Sequence, residues 1–342
     1  MRGTFTAAIL CCLLLAGCGQ AAGSAAETTA NTATLFAMDT VMDLTVYGEA
    51  SLLDEAESRV SGLEALFSVT EETSEIYQLD HTGSCVLSDD TAALLEQALG
   101  LCERTDGALD LSIYPVVRAW GFTTGAYEVP APETISKLLE QVDYRKIAYD
   151  ARSKTASLPD GMEIDLGSVA KGYTSNALIA LLRENGVTSA LLNLGGNVHA
   201  LGGKPDGSPW RVGIQNPQGD GYFGVLDIRD QAVITSGGYE RYFEQDGKTY
   251  WHIIDPATGC PAESGLLSVT IVGDDGVVCD GLSTALFVMG LDDAAAFWRA
   301  SDDFEAIFLD EDGNVTITEG LEGTFSLAEP DAQSKLTVLH RG

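Results

Sequence analysis

Asp280 and Thr284, in the stretch CDGLSTALFVMG, stand four residues apart at the head of an apolar helical run. Residues at that spacing share one helix face, so a carboxylate and a hydroxyl would point the same way. Two chemistries fit. An Asp in the first turn can accept hydrogen bonds from free helix N–H groups and act as a cap. The same pair can instead present two oxygens to one hard divalent cation. Other stretches offer partners. IDLGSVAKGY (164–173) puts Asp165 and Lys171 around a helix start, where N–H groups and a point charge favour a bound anion. NLGGNVHALGG (193–203) has Gly pairs that either make turns or let backbone approach a ligand. YWHIIDPATGCPA (250–262) carries His252 and Ile254 on one strand face before an Asp-Pro turn starter. TDGALDLSIYPVVRAWGF (105–122) holds Asp110 near an aromatic and a proline. No GxxxxGK[ST], HExxH or GxSxG occurs, and no GxGxxG opens a helix after a strand, so the phosphate loops, the zincin helix and the nucleophile elbow are excluded.

The hydrophobic pattern supplies elements to hold these residues. Residues 34–47 alternate like one strand, and Leu52, Ala56, Val60, Leu63 and Phe67 form a helical stripe over 51–67. Ser88 is placed to cap a helix over 89–104 that stops near Gly107. Pro132 suits the first turn of a helix through 142. The next helix spans 168–184 and ends at Gly186, with Ala177, Leu178, Leu181 and Leu182 on its apolar face. The chain then becomes strand-rich, with SALLNLGG, WRVGIQ, YFGVLDI, AVITS and LLSVTIV as strands. Asp246-Gly247 and Asp312-Gly313 mark hairpin turns. Helices and strands mix without a strict β–α–β rhythm, which predicts an α+β (mixed α/β) fold. No repeat or linker divides residues 34–342.

At the other end, Arg2 precedes AILCCLLLAGC, an apolar run too short for a spanning helix. Residues 1–17 read as a secretory signal peptide. Leu15-Ala16-Gly17-Cys18 resembles the lipobox of bacterial lipoproteins, which implies cleavage before Cys18 and lipidation of its thiol. Ordinary secretory cleavage is the alternative. Residues 18–33 are small and polar, a flexible tether. The expected location is extracytoplasmic, with the chain lipid-anchored to the cell membrane. The formal net charge of −32 repels nucleic acid and anionic headgroups alike. Nucleic acid is therefore no partner, and an acyl chain must supply the membrane affinity. Cys85, Cys102, Cys260 and Cys279 form no CxxC pair, which argues against a zinc ribbon and leaves any disulfide pairing open.

FAMDTVM, TDGALDLSIYPVVRAWGF, IDLGSVAKGY, LLNLGGNV, YWHIIDPATGCPA and CDGLSTALFVMG, in that order, resemble the motifs of the ApbE family, the FAD:protein FMN transferases. The resemblance covers roughly residues 34–320. It implies two lobes with FAD in the cleft between them. The implied reaction is Mg²⁺-dependent cleavage of FAD, with FMN joined through a phosphoester to a Thr or Ser hydroxyl of a target flavoprotein and AMP released. Asp280 and Thr284 inherit metal-binding roles, with an oxygen at Ser168 as third ligand. Met38, Thr70, Ala108, Leu109, Asp110, Asp165, Lys171 and Ile254 fall at FAD-contacting positions. His252 matches a histidine expected to assist proton transfer. The sequence departs from the family pattern at Asp39, where Gly is common, and at Gly281, where Ala is usual and where Gly weakens a helix. Ser283 replaces an acid that some members carry, and Thr70 replaces a flavin-stacking aromatic.

The implied acceptor is a flavin-bearing subunit of a membrane electron-transfer or ion-pumping complex. The same site with water as acceptor would make an FAD pyrophosphatase. Without catalysis, the chain would be a flavin-binding lipoprotein.

Overall fold

The computed structural model describes residues 29–328 and 335–342. Cys18, the signal peptide and most of the tether lie outside them. The chain begins with strands β1 (Asn31–Ala37) and β2 (Thr40–Val46), then helices α1 (Ser51–Phe67) and α2 (Glu75–Thr82). Next come β3 (Ser84–Val86), α3 (Asp89–Arg104), α4 (Tyr114–Ala119), α5 (Pro132–Leu139), β4 (Ala148–Asp150) and β5 (Thr155–Ser157). Helix α6 (Gly167–Glu184) leads to β6 (Ala190–Leu194), β7 (Asn197–Leu201), β8 (Trp210–Gln215), β9 (Tyr222–Ile228) and β10 (Ala232–Gly237). A hairpin, β11 (Tyr242–Gln245) and β12 (Lys248–Trp251), precedes β13 (Leu266–Gly273), α7 (Gly276–Met289) and α8 (Leu291–Arg299). The last strands are β14 (Phe304–Asp310), β15 (Val315–Thr318), β16 (Phe325–Leu327) and β17 (Leu336–Leu339).

Nine strands form the central sheet in the order β1-β2-β6-β7-β10-β13-β14-β15-β17, antiparallel except for β15 with β17. Its alternating side chains feed two cores. On one face Ile234, Val269, Ile271, Ala306 and Phe308 pack with Val277, Leu282 and Leu286 of α7 and with α3. On the other, Val233, Val272, Ile307 and Ile317 meet Trp210, Val212, Ile214, Leu226 and Ile228 of the small sheet β16-β9-β8. At the β1–β2 end, Met42, Leu44 and Leu192 close against α1 and against Leu178 and Leu182 of α6. The architecture is thus helices, large sheet and small sheet in layers, the mixed class expected.

Local chemistry explains most boundaries. The Ser88 hydroxyl accepts the Thr91 N–H at the start of α3. Asp246 and Gly247 both have positive φ, as the tight β11–β12 turn requires. Four expectations need correction. Residues 34–47 are not one strand. The chain reverses at Met38-Asp39, both with positive φ, and Ala37 pairs with Thr40. Asn31, Thr32 and Ala33, expected in the tether, already belong to β1 and face Val46, Thr45 and Leu44. Strand β12 stops at Trp251, so His252 and Ile254 share no regular strand, and Ile254 makes only an isolated bridge to Pro261. Helix α5 ends at Leu139, three residues early. The four cysteines stand as free thiols. No helix among the described residues is long and apolar enough to cross a membrane.

His199 on β7 is buried, and its Nδ1 lies 2.9 Å from the Ser175 Oγ of α6. Burial pushes its pKa down to about 4 from 6.5. The folded state therefore favours the neutral ring. The stability this contributes is present above about pH 6.5 and is lost as pH falls towards 4, because the unfolded chain takes up a proton that the folded one refuses. Urea unfolding of wild type and His199→Gln at pH 7 and pH 5 checks this. The wild type should lose about 2 kcal/mol more than the variant over that interval.

Candidate active site

The site is built on a crossing of α6 and α7. Asp275, not Asp280, caps α7: its Oδ1 accepts from the N–H groups of Val277 and Val278. Asp280 thus sits in the second turn, and the capping alternative falls away. Its carboxylate reaches sideways. Oδ2 accepts the Gly172 N–H of α6 at 2.8 Å, and Oδ1 accepts Asn197 Nδ2 of β7 at 2.9 Å. A Cβ on Gly172 would lie 2.1 Å from the Gly276 carbonyl oxygen, and one on Gly276 would lie 2.5 Å from that of Gly172. Only glycine at both positions lets the helix backbones touch and the Asp280 bond form.

Asp280 is 5% exposed and has neutral donors only. Burial raises its pKa, opposed by the Lys171 charge and by the Asn197 and Gly172 bonds. Each carboxylate oxygen accepts one bond and keeps a second lone pair. Thr284, one turn on, has its Oγ1 3.2 Å from Ser236 Oγ of β10, which also lies 2.7 Å from Ser283 Oγ. Asp280 and Thr284 lie one turn apart on α7, and Ser168 stands in the first turn of α6, so the chain offers one carboxylate and two hydroxyls as hard-oxygen donors. This set fits Mg²⁺ that keeps water or phosphate as its other ligands. A closed cage of acids is not what the chain offers: among the described residues no group of three or more His, Cys, Asp and Glu could hold a metal.

The remaining charges gather around this crossing. Asp165, whose Oδ1 accepts the Gly167 N–H at 2.9 Å, has its pKa raised by burial against the pull of that bond, Arg241 and Lys171. Glu240 is exposed in the loop after β10, and the protein around its carboxyl, with Asp280 nearby, pushes it up to about 7 against the Lys171 charge. His252 is half-buried, and the Arg241 carbonyl oxygen lies 3.3 Å from its Nδ1. The same carbonyl accepts the His252 N–H at 3.0 Å. With the Nδ1 proton donated there, Nε2 keeps its lone pair. Burial first, then the Arg241 and Lys171 charges, push the imidazole down to about 4. The ring is neutral above that pH and free to accept a proton.

Not every expected contact residue presents its side chain to this centre. Both Asp110 oxygens hold scaffold: Oδ1 accepts from Ser112 N and Oγ, and Oδ2 accepts from Tyr144 N at 3.0 Å. Leu109 packs under Gly281, where an added Cβ would lie 3.2 Å from its Cδ2 and 2.7 Å from Leu101 Cδ1. Gly281 therefore lets α3 and the Ala108–Asp110 segment close on α7, which a reading by helix propensity missed. Ile254 belongs to the apolar cluster of Val116, Trp120, Phe122 and Ile135. Thr70 is exposed in the loop after α1, with its Oγ1 3.1 Å from Ser68 Oγ. Met38 is held in the β1–β2 turn by Glu64 Oε1 on its N–H and by the Thr174 hydroxyl, 3.7 Å from its sulfur. The Gly195-Gly196 pair makes the β6–β7 turn and packs on Thr40. Sequence reasoning overlooked Asn197, Glu240 and Arg241, although GGYER carries an acid and a base beside a Gly-Gly break.

A buried carboxylate, neighbouring hydroxyls, two cations and a neutral histidine define a site for phosphate-ester chemistry on an anionic substrate. The sequence model of the ApbE family matches residues 38–308. The chain is 34% identical over 269 residues to the FAD:protein FMN transferase of Klebsiella pneumoniae, covering 77% of this chain and 83% of that one. It is 36% identical over 245 residues to the FAD:protein FMN transferase of Treponema pallidum, covering 67% and 68%. The crystal structure of the ApbE protein of Thermotoga maritima superposes with a TM-score of 0.82 at 29% identity, over 86% of this chain and 99% of that one. The chain belongs to the ApbE family.

Two outcomes are expected. Gly172→Ala should cost about 3 kcal/mol or more, read by chemical denaturation, because the new methyl meets backbone rather than a flexible side chain. Arg241→Gln removes a charge that holds the His252 pKa down. The acidic limb of its pH–rate profile should move up in pH, by less than the full interval between about 4 and 6.5, since burial remains the larger cause.

Proposed function

We propose that this chain uses Mg²⁺ to cleave FAD and attaches FMN through a phosphoester to a Ser or Thr hydroxyl of a target protein. FMN transfer from FAD to protein is the family's activity and the activity of this enzyme. The observation that carries the finer reading is Asp280, buried against the Gly172 N–H and Asn197, on the same helix face as Thr284.

Bound Mg²⁺ would be held by Asp280, Thr284 and Ser168, and it supplies neutralisation of the pyrophosphate charge. This chain's own residues do the rest. Lys171 adds positive charge beside the phosphates, and the N–H groups of the first turn of α6 favour anions in the same place. Asp165 orders that turn through the Gly167 N–H. His252 Nε2 takes the proton of the acceptor hydroxyl. The hydroxyl oxygen forms a bond to the FMN phosphorus as the bond from that phosphorus to the bridging oxygen breaks. AMP leaves with the bonding electron pair, and His252 afterwards returns its proton to solvent. Met38, Thr70, Ile254 and the Ala108–Asp110 segment are assigned to the FAD cleft, with Asp110 acting there through the backbone it braces.

The target would be a flavoprotein subunit of a membrane electron-transfer or ion-pumping complex. Lipidation of Cys18 would hold the enzyme at the same membrane, outside the cytoplasm, with residues 18–30 as tether. A Cys18→Ser chain should then leave the membrane fraction.

A mass spectrum of the full-length chain with FAD, Mg²⁺ and a flavoprotein acceptor domain tests the reaction. The acceptor should gain the mass of FMN minus water, and the gain should vanish with EDTA or in Asp280→Asn. His252→Asn should lower transfer by about a hundredfold or more while FAD binding persists. Free FMN and AMP with an unmodified acceptor would point to the pyrophosphatase, and intact FAD throughout to a flavin-binding protein.

A further inference from the structure

Strand β10 turns one face to α7, and that face is largely apolar: Ile234 packs there with Val269 and Ile271 of β13 and with Val277, Leu282 and Leu286 of the helix. Ser236 stands two residues beyond Ile234, on the same face of the strand. A hydroxyl among such neighbours is unfavourable unless it is hydrogen-bonded. Its partners are on α7: Ser236 Oγ lies 2.7 Å from Ser283 Oγ and 3.2 Å from Thr284 Oγ1.

Counting protons fixes which oxygen donates in each contact. A hydroxyl has one proton and two lone pairs. Ser283 gives its proton to its own helix: its Oγ lies 2.8 Å from the Asp280 carbonyl oxygen, which can only accept. In the 2.7 Å contact Ser283 Oγ is therefore the acceptor, and Ser236 donates. The Ser236 proton is then committed. The 3.2 Å contact is left with one direction, Thr284 donating to Ser236. The bonds thus run one way, from Thr284 through Ser236 and Ser283 to the Asp280 carbonyl. A helical threonine can give its proton to the carbonyl four residues back, which for Thr284 is that of Asp280. Here Ser283 bonds that oxygen instead, and the Thr284 proton goes out of the helix to the sheet.

We propose that Ser236 is a positioning residue for the cation site: by accepting the Thr284 proton it leaves both lone pairs of Thr284 Oγ1 free for a divalent cation, and Ser283 sets the direction of that bond. The inference rests on the reading of Asp280 and Thr284 as Mg²⁺ ligands. A hydroxyl serves a cation through a lone pair, so its proton has to be held elsewhere. A hydroxyl that shares a lone pair with a dication also becomes a stronger donor, and its bond to Ser236 strengthens when the cation is bound. The contribution of Ser236 therefore appears in cation affinity.

The test reads binding without turnover. Mn²⁺, which favours the same oxygen donors as Mg²⁺, is titrated into the full-length chain without FAD, and the free ion is followed by electron paramagnetic resonance. Ser236→Ala should weaken Mn²⁺ binding by about tenfold, the low end for partners that orient a ligand. Ser283→Ala should weaken it by less, because Ser236 then turns its own proton to Thr284. Ser236→Thr keeps the hydroxyl on a residue suited to a strand and should bind as wild type does. Equal affinity in wild type and Ser236→Ala would overturn the inference and leave Asp280 and Thr284 as ligands. A Ser236→Thr chain as weak as Ser236→Ala would assign the loss to packing, and a loss as complete as in Asp280→Asn would make Ser236 itself a ligand; either result overturns it. A wild-type chain that holds no Mn²⁺, or an Asp280→Asn chain that holds it equally well, would sink the metal reading and the inference together.

Discussion

The structure turns on the contact between Gly172 and Gly276. Two helix backbones meet there at a distance that no side chain permits, and the Gly172 N–H reaches the Asp280 carboxylate. A buried carboxylate without a donor would cost several kcal/mol or sit protonated. Bound to Gly172 and Asn197, Asp280 is fixed in position while each carboxylate oxygen keeps a second lone pair. The sheet behind α7 gives the helix its seat, and Ser236 of β10 reaches the hydroxyls of Ser283 and Thr284. Position, burial and orientation of the site thus follow from one helix crossing.

Electrostatics supply the second constraint. A chain with 51 acids and 19 lysines and arginines is a poor host for a pyrophosphate. The cleft answers by concentrating Lys171 and Arg241 near Asp165, Glu240, Asp280 and His252, so that each of these groups feels at least one of the two cations. Burial first, and the same cations after it, keep His252 from protonating.

Much of this was legible in the sequence, and the reasons for the rest are local. The helical stripes of α1 and α6, the Ser88 cap and the Asp246-Gly247 turn are short-range signals and appear where expected. Asp280 and Thr284 could be paired from spacing alone. The start of α7 was misplaced because Asp275, a stronger cap, lies outside the motif that drew attention. The reversal at Met38 was hidden because a Met with positive φ carries no turn signature. It is held by Glu64, twenty-six residues away. Asn197, Gly172 and Arg241 act through contacts between distant segments, which no periodicity announces. Asp110 shows the opposite failure: a motif residue that looked free for a ligand is committed to Ser112 and Tyr144.

The two edges of the nine-stranded sheet are β1 and β17, drawn from opposite ends of the described chain, while β6, β7, β10 and β13 lie inside. Interior strands are locked on both sides, and edge strands on one. Amide protons of β10 and β13 should therefore exchange only with global opening, whereas β1 can peel back through a smaller, cheaper fluctuation. The Met38–Asp39 turn hangs from that looser edge, and α6 and α7 stand on the rigid centre. The enzyme thus holds its carboxylate on the slowest-exchanging part of the fold, and an excursion of the β1 edge leaves the crossing that positions Asp280 undisturbed.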